Sequence, residues 1–190
     1  MKYPKILPEV SVILFDIDGT LTYRRDRYPS NSLLGRPSSS SLADGTQMFP
    51  DAPGVIRTLP EAGYELYTAT TNAASIARQK LALGGFNNGG CAAYFKGVMG
   101  GEEISPGGKT SARFFGNLLR YYGLDAAKVL HVGDDPVLDV LCPLEAGIPN
   151  VVQIKRSQEE PVVPLASGGL AINDLSLLPE LLGIDVGATR

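Results

Sequence analysis

Two carboxylates separated by a single residue, Asp16 and Asp18, stand in the run Asp16-Ile17-Asp18-Gly19-Thr20. Gly19 permits the tight turn that lets both converge on one point. Farther along the chain come Thr71-Asn72, then Lys109, then a second acidic group, Asp134, Asp135 and Asp139. Cleavage of a phosphate ester through an enzyme nucleophile needs these parts: an attacking oxygen, an acid for the leaving group, and charge that neutralises and orients the phosphoryl group. Carboxylates gathered about a dianionic phosphate repel one another by roughly 4 kcal/mol per close unit-charge pair in a partly buried site, so such a site requires cations. Asp134 and Asp139, with Asp135 beside them, offer hard oxygen ligands opposite Asp16, a set suited to Mg²⁺. Lys109 supplies a fixed positive charge. Behind Thr71 and Asn72 a helix is expected, whose first backbone N–H groups favour a phosphate oxygen.

The elements that must position these residues alternate. Strands are predicted at Val10 to Phe15, Tyr64 to Thr70, Val129 to Val132 and Val151 to Ile154, with a weaker one at Ala92 to Val98. Helical spacing occupies Ala52 to Glu61, Ala73 to Leu83, Thr110 to Tyr122, Pro136 to Ala146 and Leu175 to Leu182. This order predicts an α/β fold: an open, mostly parallel, Rossmann-like sheet in three layers, with helices on both faces and the ligand site at the carboxyl ends of the strands. The acids, Thr71 and Asn72 fall at those ends. Thr22 to Pro50, with its run Pro37-Ser38-Ser39-Ser40-Ser41, has little periodicity and reads as an inserted flap or lid directly after the first acidic loop.

A chain of 190 residues with 44% hydrophobic and 19% charged residues fits a single globular domain spanning 1–190. A net charge of -3 and a pI near 5.2 supply no basic field for nucleic acid or anionic lipid, so neither is an expected partner. Cys91 and Cys142 stand far apart with no ligand-spaced neighbours, which fits a reducing cytoplasm. No run approaches the roughly twenty apolar residues of a membrane span, and the N-terminal segment lacks a signal-peptide core.

In sequence order, VSVILFDIDGTLT, ELYTATTNA, Lys109 lying 25 residues ahead of Asp134, and VGDDPVLDV resemble the four motifs of the haloacid dehalogenase superfamily. The resemblance implies Asp16 as nucleophile, Asp18 as general acid and base, and Thr71 as the hydroxyl of the second motif. It also implies Mg²⁺ held by Asp16, Asp134 and the backbone carbonyl of Asp18, while the fourth motif supplies both the family's paired acid, Asp135, and its spaced acid, Asp139. Gly19, Thr20, Thr71, Asn72 and Lys109 are then the expected phosphate-contacting residues. Dehalogenases of the superfamily lack an acid at the position of Asp18, so the resemblance favours a phosphatase acting on a phosphate monoester. The alternatives are a phosphotransferase such as a phosphomutase, and a non-catalytic phospho-acceptor module. Neither gap that carries the superfamily's caps is large here, which implies a capless or minimally capped, open site, suited to a bulky substrate or completed by a neighbouring subunit.

Other readings of the same residues are blander. The DxDG string lacks the ligands and leading helix of an EF-hand. Gly107-Gly108-Lys109-Thr110 resembles the end of a P-loop, but Glu103 occupies the earlier glycine position. One of Asp135 and Asp139 is expected to cap the following helix or face solvent, and Asn72 is a candidate helix cap. His131 is expected to be a satisfied core histidine and Cys142 a core residue. Tyr23, Arg24, Arg25, Arg27 and Tyr28 form a basic, aromatic cluster that suits either substrate recognition or a solvated loop.

Overall fold

Val12–Phe15 forms strand β1, and all four side chains are buried, as a strand covered on both faces requires. The structure, a computed structural model, describes residues 9–25, 42–84 and 90–185. After β1 come β2 (Thr22–Arg24), β3 (Thr46–Met48), helix α1 (Ala52–Glu61), β4 (Glu65–Thr68), α2 (Ala74–Ala82), β5 (Phe95–Gly97) and α3 (Gly101–Ile104). The rest of the chain adds α4 (Ala112–Tyr122), β6 (Val129–Gly133), α5 (Cys142–Glu145), β7 (Asn150–Ile154), β8 (Val162–Pro164), β9 (Leu170–Ile172) and α6 (Leu178–Leu181).

Seven strands make one sheet in the order β5-β4-β1-β6-β7-β9-β8. Every pair is parallel except β8 with β9. The chain builds outward from β1 through β4 to β5, then returns to place β6 on the other side of β1. Strand order therefore reverses at β1 and β6, where crevices open at the carboxyl ends of such sheets.

Alternation along β1 divides the core. Ile13 and Phe15 face one layer with α1, α2 and α6, and Val12 and Leu14 face the other with α4 and Cys142. Ile13, Leu14 and Phe15 are fully buried, and each such side chain contributes about 1.5–3 kcal/mol by leaving water. Helix α1 shows the expected stripe, burying Ala52, Val55, Ile56 and Leu59. Helix α4 buries Phe114, Phe115 and Leu118 and stops at Gly123, whose φ of 66° is left-handed.

Four expectations need correction. Thr22 to Pro50 is not irregular throughout, because β2 and β3 at its two ends pair as an antiparallel ribbon; Arg27, Tyr28 and the serine run lie outside the described residues. Pro136 to Ala146 is not one α-helix. Its first part, Pro136–Leu141, is π-helical, and Pro143 has no N–H to offer the Asp139 carbonyl, so a regular ladder cannot run through. The strand expected at Ala92 to Val98 is confined to β5, after a 3₁₀ turn at Gly90–Tyr94. The hairpin β8–β9 joins the sheet edge where no strands were expected.

Candidate active site

Strands β1, β4 and β6 end side by side, and the expected chemical residues gather there. Asp16 directly follows β1 and is 6% exposed. It is held by the Lys109 ammonium, which donates to Asp16 Oδ1 at 2.7 Å and to the Ala69 carbonyl at 2.9 Å. The same ammonium lies 2.5 Å from Asp139 Oδ1. Lys109 sits in the loop before α4, after Gly107 and Gly108, whose φ values of 85° and 69° are left-handed.

Asp139 comes from the π-helical segment, and its other contacts explain its place. His131 Nε2 lies 2.8 Å from Asp139 Oδ1, and the Asp135 amide donates to Oδ2 at 3.0 Å. His131 pairs with Leu14 across the sheet, and its ring meets Phe115 edge-on with centroids 4.9 Å apart. It is thus a buried core histidine, facing the α4 layer, that also orients an acid. Asp135 turns out to be the capping residue, since its carboxylate accepts from the Val137 and Leu138 amides at 2.8 Å. Asp139 is the acid that enters the site.

Two glycines allow this crowding. A Cβ on Gly133 would lie 2.1 Å from Asp139 Cγ, and one on Gly19, already at φ 82°, would lie 2.1 Å from Asp134 Oδ2. The loop after β1 can therefore press against Asp134 only through a residue with no side chain.

Asp16, Asp134 and Asp139 each offer a carboxylate oxygen, and these oxygens lie within 4.8 Å of one another. Burial, together with the negative charges of Asp139 and Asp134, pushes Asp16 up to about 7 against the pull of Lys109. Burial and Asp139 likewise push Asp134 up to about 6. For Asp139, burial acts upward but is outweighed by Lys109 and His131, which hold it well below the usual carboxylate range. Lys109 is raised, because Asp16 and Asp139 outweigh its burial, and His131 is lowered chiefly by burial. One ammonium thus satisfies Asp139 and leaves Asp16 and Asp134 short of positive charge. An all-oxygen donor set with that deficit fits a hard divalent cation.

Asp18 points elsewhere. Its carboxylate accepts from Lys80 Nζ at 2.6 and 2.7 Å, from Asn72 Nδ2 at 2.7 Å and from the Thr22 hydroxyl at 3.2 Å. Its side chain is therefore outside the acid cluster, and only its backbone remains available for the metal role that the resemblance implied. Asp18, Gly19, Thr71, Lys80 and Asp134 share the wall of one open cavity of about 410 Å³, which Tyr23 and Arg24 of β2 also line.

The remaining expected residues divide. Thr71 is exposed at the cavity wall. Asn72 is not a helix cap, because Ala73 precedes α2 and the Asn72 amide is spent on Asp18 and on Thr70 Oγ1 at 2.8 Å. Thr20 is fully buried, and its carbonyl accepts from Arg156 Nη2 at 3.0 Å, so its hydroxyl is not placed to meet substrate. In the basic cluster, Tyr23 is buried and its hydroxyl donates to Gln47 Oε1 at 2.8 Å, while Arg24 and Arg25 are exposed.

Lys80 was missed in the sequence because a lysine in a helix ordinarily reads as part of a solvated face. Its place three residues after Ala77 and one before Leu81, on the apolar side of α2, was the available signal.

Residues 38–147 match the family model for haloacid dehalogenase-like hydrolases. The match covers more than half of the chain, including Thr71, Lys109 and Asp134, and the chain belongs to this family of hydrolases. No curated protein sequence matches the chain. Among solved structures, a HAD phosphatase from Thermococcus onnurineus is similar at TM-score 0.67 and 21% identity, over 92% of this chain and 98% of that one. A 2-haloacid dehalogenase from Pseudomonas syringae follows at 0.64 and 19%, over 92% and 98%. A putative beta-phosphoglucomutase from Thermotoga maritima stands at 0.63 and 17%, over 92% and 97%. At such identities these likenesses show the fold, and they span three chemistries. No described helix is long and apolar enough to cross a membrane.

Proposed function

We propose that this hydrolase is a Mg²⁺-dependent phosphatase that cleaves a phosphate monoester through an aspartyl-phosphate on Asp16. The observation that carries the reading is the second carboxylate, Asp18, at the wall of the cavity that Asp134 and Thr71 also line. Displacing a halide needs no proton donor, because halide leaves as an anion. An alkoxide leaving from phosphorus does need one, and Asp18 is an acid in reach of the cavity.

In this cycle Lys109 holds Asp16 by one oxygen, which fixes the carboxylate for in-line attack. Asp18 gives a proton to the leaving oxygen as its bond to phosphorus breaks, then takes one from the water that cleaves the aspartyl-phosphate. Among the described residues Asp16, Asp134 and Asp139 are near enough to share a metal, and the Asp18 backbone carbonyl would be a further ligand; a bound Mg²⁺ would neutralise the phosphoryl oxygens. In this reading Thr71, at the cavity wall, and the first N–H groups of α2 take a phosphate oxygen.

The protein is read as one domain with an insertion at about 22–50 that begins and ends in the β2–β3 ribbon, and its site as an open one in the cytoplasm, suited to a bulky substrate or completed by a neighbouring subunit. Purified protein is expected to hydrolyse an aryl phosphate with Mg²⁺, to lose that turnover in EDTA, and to release no halide from a 2-haloacid. Halide release without phosphate release would replace this reading with dehalogenation. A product assay with and without an acceptor sugar separates hydrolysis from phosphoryl transfer.

A further inference from the structure

Lys80 occupies the buried side of α2 with Ala77 and Leu81, where an apolar residue would complete the helix face. Its ammonium instead crosses to the catalytic loop. Two of its contacts are the Asp18 oxygens, at 2.6 and 2.7 Å, and the third is Asn72 Oδ1 at 3.0 Å. An ammonium has three hydrogens, and each has an acceptor here. Asn72 closes the ring, donating to Asp18 Oδ2 at 2.7 Å and to Thr70 Oγ1 at 2.8 Å.

Burial sets the two partners apart. The Lys80 side chain is 10% exposed and the Asp18 side chain 48%. A lysine withdrawn from water gives up hydration, while an ion pair with so exposed a partner returns little stability. Stability does not account for this arrangement, whereas a requirement for a fixed Asp18 carboxylate does. Without Lys80 and Asn72, a half-exposed aspartate would sample several rotamers.

We propose that Lys80 is a positioning residue for catalysis: with Asn72 it holds the Asp18 carboxylate at the cavity wall, oriented to exchange a proton first with the leaving oxygen and then with water. This rests on the phosphatase reading above. Lys80 also lines the cavity, and the role assigned to it is exercised through Asp18, to which all but one of its three hydrogen bonds run. No covalent bond to Lys80 forms at any stage: protonated Asp18 gives its proton to the leaving oxygen as the ester P–O bond breaks and the Asp16–phosphorus bond forms, leaving the carboxylate that Lys80 and Asn72 hold, and that carboxylate takes a proton from the water as its oxygen bonds to phosphorus and the Asp16–phosphorus bond breaks.

The test is a double-mutant cycle on phenyl phosphate with Mg²⁺, using wild type, Lys80→Met, Asp18→Asn and the double variant, with Lys80→Arg as the conservative change. Lys80→Met is expected to lower kcat about 10- to 100-fold, part of the roughly 10²–10⁴ that acid–base catalysis supplies. KM should stay within about threefold, as for an interaction felt mainly in the transition state. In the Asp18→Asn background the same change should cost less than about threefold, because residues acting through one another are not additive. Lys80→Arg, which keeps the charge, should recover part of the rate with an unchanged melting temperature. Equal losses in both backgrounds, or a raised KM with kcat intact, would overturn the proposal. If wild type itself fails to turn over phenyl phosphate while releasing halide from a haloacid, the phosphatase reading falls first and takes this proposal with it.

Discussion

Two lysine–aspartate pairs are built on the loop that follows β1 and have opposite characters. Lys109–Asp16 is sealed, with side chains 3% and 9% exposed, and shares its ammonium with Asp139, itself braced by His131. Lys80–Asp18 lies at the cavity wall with one partner half in water. The first pair is a structural member of the core and, in the proposed cycle, holds the nucleophile. The second holds a side chain that, in the proposed cycle, meets both substrate and solvent. A nucleophile that attacks one position gains from rigid enclosure, whereas a group that trades protons with two different oxygens needs an open side.

The comparison breaks first on stability. Removing one partner of a buried charge pair leaves the other uncompensated, so Lys109→Met is expected to cost about 3–5 kcal/mol in urea unfolding. Lys80→Met is expected to cost only about 0–1 kcal/mol, the range for pairs screened by solvent. Similar losses for both would mean that the difference in burial does not govern their roles.

A smaller, pH-dependent effect sharpens the same contrast. Asp16 rises from 3.8 to about 7 and Asp134 from 3.8 to about 6, so between pH 4 and pH 7 the folded chain holds protons that the unfolded chain has lost. Metal-free stability should therefore fall as pH rises through that window. Asp139 runs the other way, its contribution being present above 3.8 and lost as pH falls below it. Added Mg²⁺ competes with the protons on Asp16 and Asp134, so its increase in melting temperature should be larger near pH 8 than near pH 5.5. An equal increase at both values would place the metal elsewhere.

Much of this was legible in the sequence, for a physical reason. β1 and β6 are apolar in the main and β4 and β7 carry apolar centres, and Asp16, Thr71 and Asp134 follow where β1, β4 and β6 stop. Helix α1 announces itself through Ala52, Val55, Ile56 and Leu59, whose spacing matches one helix face. What could not be read depends on side-chain direction or on partners distant in sequence. His131 carries no sign of which sheet face it occupies, and the choice between Asp135 and Asp139 turns on a π-helical segment that periodicity does not reveal. Strands β2 and β3 are too short for alternation to register, and they pair across a long insertion. Thr20 looked like part of the phosphate loop by position, yet the turn at Gly19 carries it inward to Arg156.

The central claim is that Asp16 carries the phosphoryl group, and rapid acid quench during turnover of an aryl phosphate tests it directly. Mass spectrometry of the digested protein should find one phosphoryl group on the peptide containing Asp16, absent from Asp16→Asn, whose turnover should fall by at least about 10³-fold. A phosphorylated residue elsewhere, or Asp16→Asn turning over at the wild-type rate, would contradict the account.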